Sequence, residues 1–258
     1  MKVKQKFLAP VYGLRKSLNK EIKLNNNLLL RNIDLLNKEY EFFEKHGLWG
    51  NYNVVLEINY RYDKNDASEP LPGISLNIIN KLESALLVYG NGLTGVAGIF
   101  PDSKKSKRGE FIFYPYKTRF EDGLNKEINQ KFVAYFKNFN KAYNMRPAAF
   151  DIYRKSRGRF ANNDKTIDSC TVLESIFVPI GERAKKSFIL NGINILGFKK
   201  NDIKVIDHLI DYRNAVIHAD LTKQHRLLSG SKFTHTWFEN AFELIREIIY
   251  KFVEAPWK

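Results

Sequence analysis

Asp211-Tyr212-Arg213-Asn214-Ala215-Val216-Ile217-His218-Ala219-Asp220 is the stretch on which the reading of this chain turns. It carries on the apolar period of Val205, Ile206, Leu209 and Ile210 through Val216 and Ile217, so the two runs form one helix. At about 100° per residue, Arg213 falls near the middle of the apolar stripe. A permanently charged guanidinium placed there is costly unless an anion meets it. Asn214 and His218, four residues apart, stack on one flank of the same helix.

The segments around this helix share its period. Ile128, Phe132, Tyr135, Phe136 and Phe139 mark one amphipathic helix, and Phe150, Ile152 and Tyr153 a second beyond the break at Pro147. Thr166 to Phe177 is a third, with Ile167, Cys170, Leu173 and Phe177 inward. Glu182 to Leu196 is a fourth (Ala184, Phe188, Ile189, Ile195), closed by Gly197. Asp202–Ala219 and Trp237–Val253 complete the set. Glu174 flanks the apolar face of its own helix and is the obvious partner for Arg213.

The front of the chain alternates instead. Phe7–Gly13, Glu21–Asn25, Leu28–Ile33 and Val54–Tyr62 read as strands, as do Val96–Phe100 and Phe111–Tyr116 around the basic turn Lys104–Arg108. A short helix is expected from Asp34 to Gly47 and another from Ser75, after a polar, proline-containing loop over Asp63–Gly73. The fold class is therefore α+β: a mixed region over 1–145, then an all-α bundle over 146–258.

Composition narrows the function. The 258 residues are 44% hydrophobic and 27% charged, values of a chain that builds a core rather than a disordered one. A net charge of +14 points to a polyanionic partner, nucleic acid ahead of an anionic membrane. The competing explanation is codon bias, since Lys and Asn abound together. A single cysteine, Cys170, excludes an internal disulfide framework and a cysteine-based zinc site. With no signal peptide and no apolar run near the roughly 20 residues of a membrane span, a soluble, cytoplasmic protein is expected, with no membrane contact.

Other signals weigh less. Gly90-Asn-Gly-Leu-Thr-Gly95 matches a dinucleotide-binding string, but a helix precedes it and a strand follows, the reverse of what phosphate binding needs. His208, His225 and His235 lack metal-ligand spacing, so no metal or other cofactor is expected. Arg154, Lys155, Arg157 and Arg159 crowd four positive charges into six residues, which suits either a solvated helix end or an RNA backbone. Arg213 and His218 carry the same ambiguity. Arg213 either neutralises a buried carboxylate or holds a phosphate, and His218 is either an edge residue or the side chain that moves a proton near neutral pH.

With Arg213-Asn214 followed by His218, the chain resembles the HEPN superfamily, whose hallmark is Arg, a polar residue, and His four to six positions after the Arg. Thr166-Ile-Asp-Ser-Cys-Thr-Val-Leu-Glu-Ser-Ile-Phe177 is similar to a characteristic helix of the Apea-like HEPN group. Glu182–Gly197 and Phe238–Ile248 resemble its following and last helices. Leu8–Leu14 and Leu28–Ile33 are similar to the sheet region that often precedes this domain. The family usually has Gly after the His, where this chain has Ala219-Asp220.

The resemblance implies a helical bundle, commonly dimeric, and metal-independent RNA cleavage of toxin or antiphage-defence type. A ribose 2′-OH would attack the adjacent phosphate, leaving 2′,3′-cyclic phosphate and 5′-OH ends. His218 would act as general acid or base, Arg213 would stabilise charge on the phosphoryl oxygens, Asn214 would orient the imidazole or the phosphate, and Glu174 would hold Arg213 in place. Arg213 and His218 lie about 140° apart around an ideal helix, so a composite site across a homodimer brings them together better than one helix does. The front region would sense a trigger, position RNA or restrain the nuclease, with an antitoxin or defence-system partner as a further expectation. The rival expectation is a non-catalytic RNA-binding or interaction module. A transferase partner in a toxin–antitoxin pair has only the family's wider associations behind it.

Overall fold

The computed structural model describes residues 2–14, 18–33, 53–63, 71–90, 94–96, 99–101, 127–159, 161–229 and 234–256, and residues 39, 41 and 43 besides. The fold is α+β: an antiparallel sheet early in the chain, followed by a run of helices. It divides into two compact units, Met1–Lys137 and Asn138–Lys258.

In the first unit β1 (Lys2–Tyr12) is the organising strand. It pairs along its length with β4 (Val54–Asp63), from Lys2 opposite Asp63 to Val11 opposite Val54. Beyond β4 come β3 (Leu28–Asn32) and β2 (Ile22–Lys23), in the order β2-β3-β4-β1. The other edge of β1 pairs with β5 (Gly95–Val96) and β6 (Phe100–Pro101), at the two ends of the strand expected over Val96–Phe100, whose residues 97 and 98 lie outside the described residues. Leu8, Ile33, Phe43, Val55 and Phe100 form a core cluster in this unit. Residues 7–11 of β1 and 54–56 of β4 are buried without interruption, so both faces of the sheet are covered there, and Leu8 and Val55 share the face that meets this cluster.

Helix α1 (Leu71–Tyr89) starts before Ser75, inside the stretch expected to be a loop. Pro72 is compatible with that start, because a first-turn residue needs no intrahelical N–H bond. Residues 39, 41 and 43 are helical and fall within the expected Asp34–Gly47 helix, the rest of which lies outside the described residues. The basic turn Lys104–Arg108 and the strand expected at Phe111–Tyr116 lie outside the described residues.

Helix α2 (Gln130–Met145) contains the boundary between the two units. The second unit continues with α3 (Pro147–Ser156), α4 (Asn162–Phe177), α5 (Lys186–Ile195), α6 (Lys200–Ile217), α7 (Leu221–Ser229) and α8 (His235–Glu254). Its core combines Phe150 and Tyr153 of α3 and Cys170, Val172, Leu173 and Ile176 of α4. Ile206, Leu209 and Ile210 of α6 join them, with Phe238, Ile245 and Ile249 of α8.

One expectation is corrected here, and one helix is added. In α5 the inward residues are Ile189 and Ile193, whereas Ile195 is 83% exposed and Ala184 precedes the helix in an exposed loop. Helix α7 is not expected from apolar periodicity, because it buries no residue at all. Its signal is the cap. Asp220 Oδ1 accepts the Lys223 N–H at 2.8 Å, satisfying a first-turn donor at the helix start.

Candidate active site on α6

Helix α6 begins with Asp202 Oδ2 accepting the Lys199 N–H at 3.1 Å, and it is anchored to α5 through Lys186. The Lys186 ammonium lies 2.6 Å from Asp207 Oδ1 and 2.9 Å from Asp211 Oδ1. Burial pulls this lysine down, but its bonds to the two carboxylates outweigh that and hold it above the ordinary lysine range. On the α4 side, Tyr212 Oη donates to Asn163 Oδ1 at 2.8 Å. Leu209 offers its carbonyl to the Cys170 thiol at 3.9 Å. These links fix both the position and the rotation of α6.

That rotation sets where Arg213 points. Its side chain is 16% exposed, and Nη2 donates to Glu174 Oε1 of α4 in a direct ion pair. Nε of the same guanidinium is buried with no hydrogen-bond partner. Cys170 lies one helical turn before Glu174, and burial pushes its thiol up to about 11 against the opposing pull of Arg213. The inward charge read from the sequence is therefore answered by the carboxylate on the neighbouring helix.

His218 sits at the other extreme. It is the C-cap of α6 and is exposed, with no side-chain bond among the described residues. Asn214 is half-buried, and its carbonyl accepts the His218 N–H at 3.1 Å. Immediately after His218 the chain turns sharply: Ala219 adopts φ +51, in the left-handed region. Asp220 N–H bonds Ala215 O at 2.9 Å and Ala219 N–H bonds Val216 O at 3.1 Å, the paired bonds of a Schellman termination. Alanine thus takes the backbone position that glycine favours. The turn is completed by Gln224 Nε2 donating to Ala215 O at 3.0 Å. Within one chain, Arg213 faces α4 and His218 faces solvent, with no bond between them.

The cations Arg154, Lys155, Arg157 and Arg159 gather where α3 ends and α4 approaches. Lys155 and Arg159 are exposed and Arg154 and Arg157 half-buried. Arg159 Nε meets Asp168 Oδ2 at 3.1 Å, so this charge is partly answered. Lys165 of α4 is a cation the sequence reading missed. Burial first and Arg157 second lower its proton affinity, and its ammonium lies 5.7 Å from the Phe242 ring centroid.

Next to the Glu174–Arg213 pair lies an open pocket of about 400 Å³ between the α2–α3 junction and the end of α4. Arg146, Pro147, Ala149, Glu174, Val178 and Glu182 are among its lining residues. Arg146 and Glu182 stand 36 residues apart in the chain, on segments with no motif to single them out. Among the described residues, no group of three or more His, Cys, Asp or Glu side chains could hold a metal ion. No described helix is long and apolar enough to cross a membrane.

No protein family, curated protein or solved structure matches the chain.

Proposed function

We propose that this chain is a metal-independent endoribonuclease of the HEPN type, acting in a toxin or antiphage-defence setting. One observation carries the reading: a guanidinium anchored through one nitrogen to Glu174, with Nε unpaired, shares a helix with a solvent-facing histidine one turn from its polar neighbour Asn214. In this mechanism Arg213 is oriented by Glu174 and stabilises charge building on the phosphoryl oxygens. The exposed imidazole of His218 takes the proton from the attacking 2′-OH or delivers one to the leaving 5′-oxygen. Asn214 orients the imidazole or a phosphate oxygen. The cut leaves 2′,3′-cyclic phosphate and 5′-OH ends.

Because Arg213 and His218 face different ways on one helix, the working site is composite, formed by two copies across a two-fold. The net charge of +14 and the cluster Arg154, Lys155, Arg157 and Arg159 serve the RNA backbone, whose binding weakens as salt rises. The sheet-bearing first unit senses a trigger or positions RNA, and an antitoxin or defence partner restrains the nuclease in the cell.

One observation favours a second reading. The Arg213–Glu174 pair also makes sense as packing between α4 and α6, which would leave a non-catalytic RNA-binding or interaction module. The deciding experiment is end-group analysis of RNA from cells expressing wild-type or His218→Ala protein. Cyclic phosphate ends present only with wild type support the nuclease, and ends that persist in His218→Ala sink it.

A further inference from the structure

The pocket beside Glu174 is not used by the chemistry assigned to Arg213 and His218, yet it touches the same constellation. Glu174 lines it and, through Oε1, binds Arg213, so the pocket wall is one side chain away from the proposed phosphate-binding group. Its volume of about 400 Å³ is that of a small-molecule or base site rather than a packing defect. Pro147, Ala149 and Val178 give it apolar walls suited to the faces of a planar ring.

Its charges are arranged unusually. Arg146 and Glu182 both line the pocket, no ion pair joins them, and neither side chain bonds any described residue. A cation and an anion that line one pocket without pairing are available to an occupant presenting acceptors to the first and donors to the second. With Glu174 already answered by Arg213, Arg146 and Glu182 balance each other, so the pocket offers a phosphate no excess of positive charge.

We propose that this pocket is a base-recognition subsite that takes guanine next to the phosphate held by Arg213. Guanine alone among the four bases sets two N–H donors, N1–H and N2–H, side by side on one edge, where a carboxylate such as that of Glu182 accepts both. Its O6 and N7 acceptors lie on the adjoining edge, the pair that an arginine such as Arg146 meets in bidentate fashion. Uracil flanks its one N–H with two carbonyls, which a carboxylate repels. Adenine and cytosine each pair an amino donor with a bare ring nitrogen and fill only half of a carboxylate. The place of this base beside a scissile phosphate rests on the ribonuclease reading, whereas the binding itself does not.

The test uses the full chain. Guanosine, adenosine, cytidine and uridine are titrated by NMR into wild type, Glu182→Gln and Arg146→Ala, and a random-sequence RNA is digested with its fragment ends mapped. Guanosine is expected to bind at least about tenfold more tightly than the others, and each variant to lose roughly that margin. Guanine is expected to be enriched at one position beside the cut by wild type and not by the variants. Equal or undetectable binding of all four nucleosides overturns the subsite, as does full guanine preference in Glu182→Gln. Cleavage without guanine enrichment overturns it too, while leaving the nuclease standing. Guanosine preference in a protein that cuts no RNA upholds the pocket and removes the nuclease reading instead.

Discussion

Arg213 Nη2 donates to Glu174 Oε1, and this single ion pair ties the C-terminal part of α6 to the last turn of α4. Both side chains are largely covered, 16% and 25% exposed, so each is the other's main compensation for lost hydration. Glu174→Gln keeps the shape and removes the charge. It is expected to destabilise the protein by about 1–3 kcal/mol, read as a lower midpoint in urea denaturation. An unchanged midpoint would show that the pair contributes nothing to the packing of α4 on α6.

His218 separates function from stability. As an exposed C-cap with no side-chain bond among the described residues, it can be replaced by alanine with a stability change within about 0.5 kcal/mol. RNA cleavage by the same variant is expected to fall about 10²- to 10⁴-fold, the usual contribution of a positioned acid or base. A folded variant with wild-type cleavage rates rules His218 out of the chemistry.

The turn after the site holds strain that can be relieved. Ala219 at φ +51 occupies the left-handed region, which costs an L-residue about 1–2 kcal/mol. Glycine escapes that penalty but loses more freedom on folding, so Ala219→Gly is expected to gain roughly 0.5–1 kcal/mol. A higher melting temperature with an unchanged helical circular dichroism spectrum is the expected result. A lower melting temperature would mean that the Ala219 methyl makes a contact worth more than the strain.

Gly192 of α5 behaves in the opposite way. A Cβ there would lie 2.1 Å from the ring of Phe177, which itself packs edge-on against Phe252 at 6.2 Å between centroids. Gly192→Ala is expected to push that ring aside and destabilise the protein by about 1–3 kcal/mol, despite alanine's better helix propensity. Equilibrium unfolding of the variant measures this, and a neutral result would show that the Phe177 ring moves freely.

Cys170 is expected to be chemically silent in the folded protein. Burial pushes its thiol up to about 11, so at pH 8 almost all of it is the unreactive protonated form and reagent access is blocked as well. Alkylation at pH 8 should be slow in buffer and fast in denaturant. Equal rates in the two would mean that the α4–α6 interface opens readily.

Much of this architecture is written locally. The 3.6-residue period marks α2, α3, α4, α6 and α8, the two-residue period marks β4, and short apolar runs mark β1 and β3, because all of these depend only on near neighbours in the chain. The same logic exposed Arg213: a charge on an apolar stripe requires a counter-charge, and Glu174 on α4 is where the structure places it. Other features have no local signature. Helix α7 buries nothing and is announced only by its Asp220 cap. Ile195 looks inward by composition but is turned to solvent, and Ala219 accepts a conformation that its own chemistry disfavours. The convergence of Arg146, Glu174 and Glu182 on one pocket depends on how α3, α4 and the loop after α4 pack together. Periodicity states which face of an element is buried. Only the balance of contacts across the whole unit decides which other element covers that face, and which charges are left free.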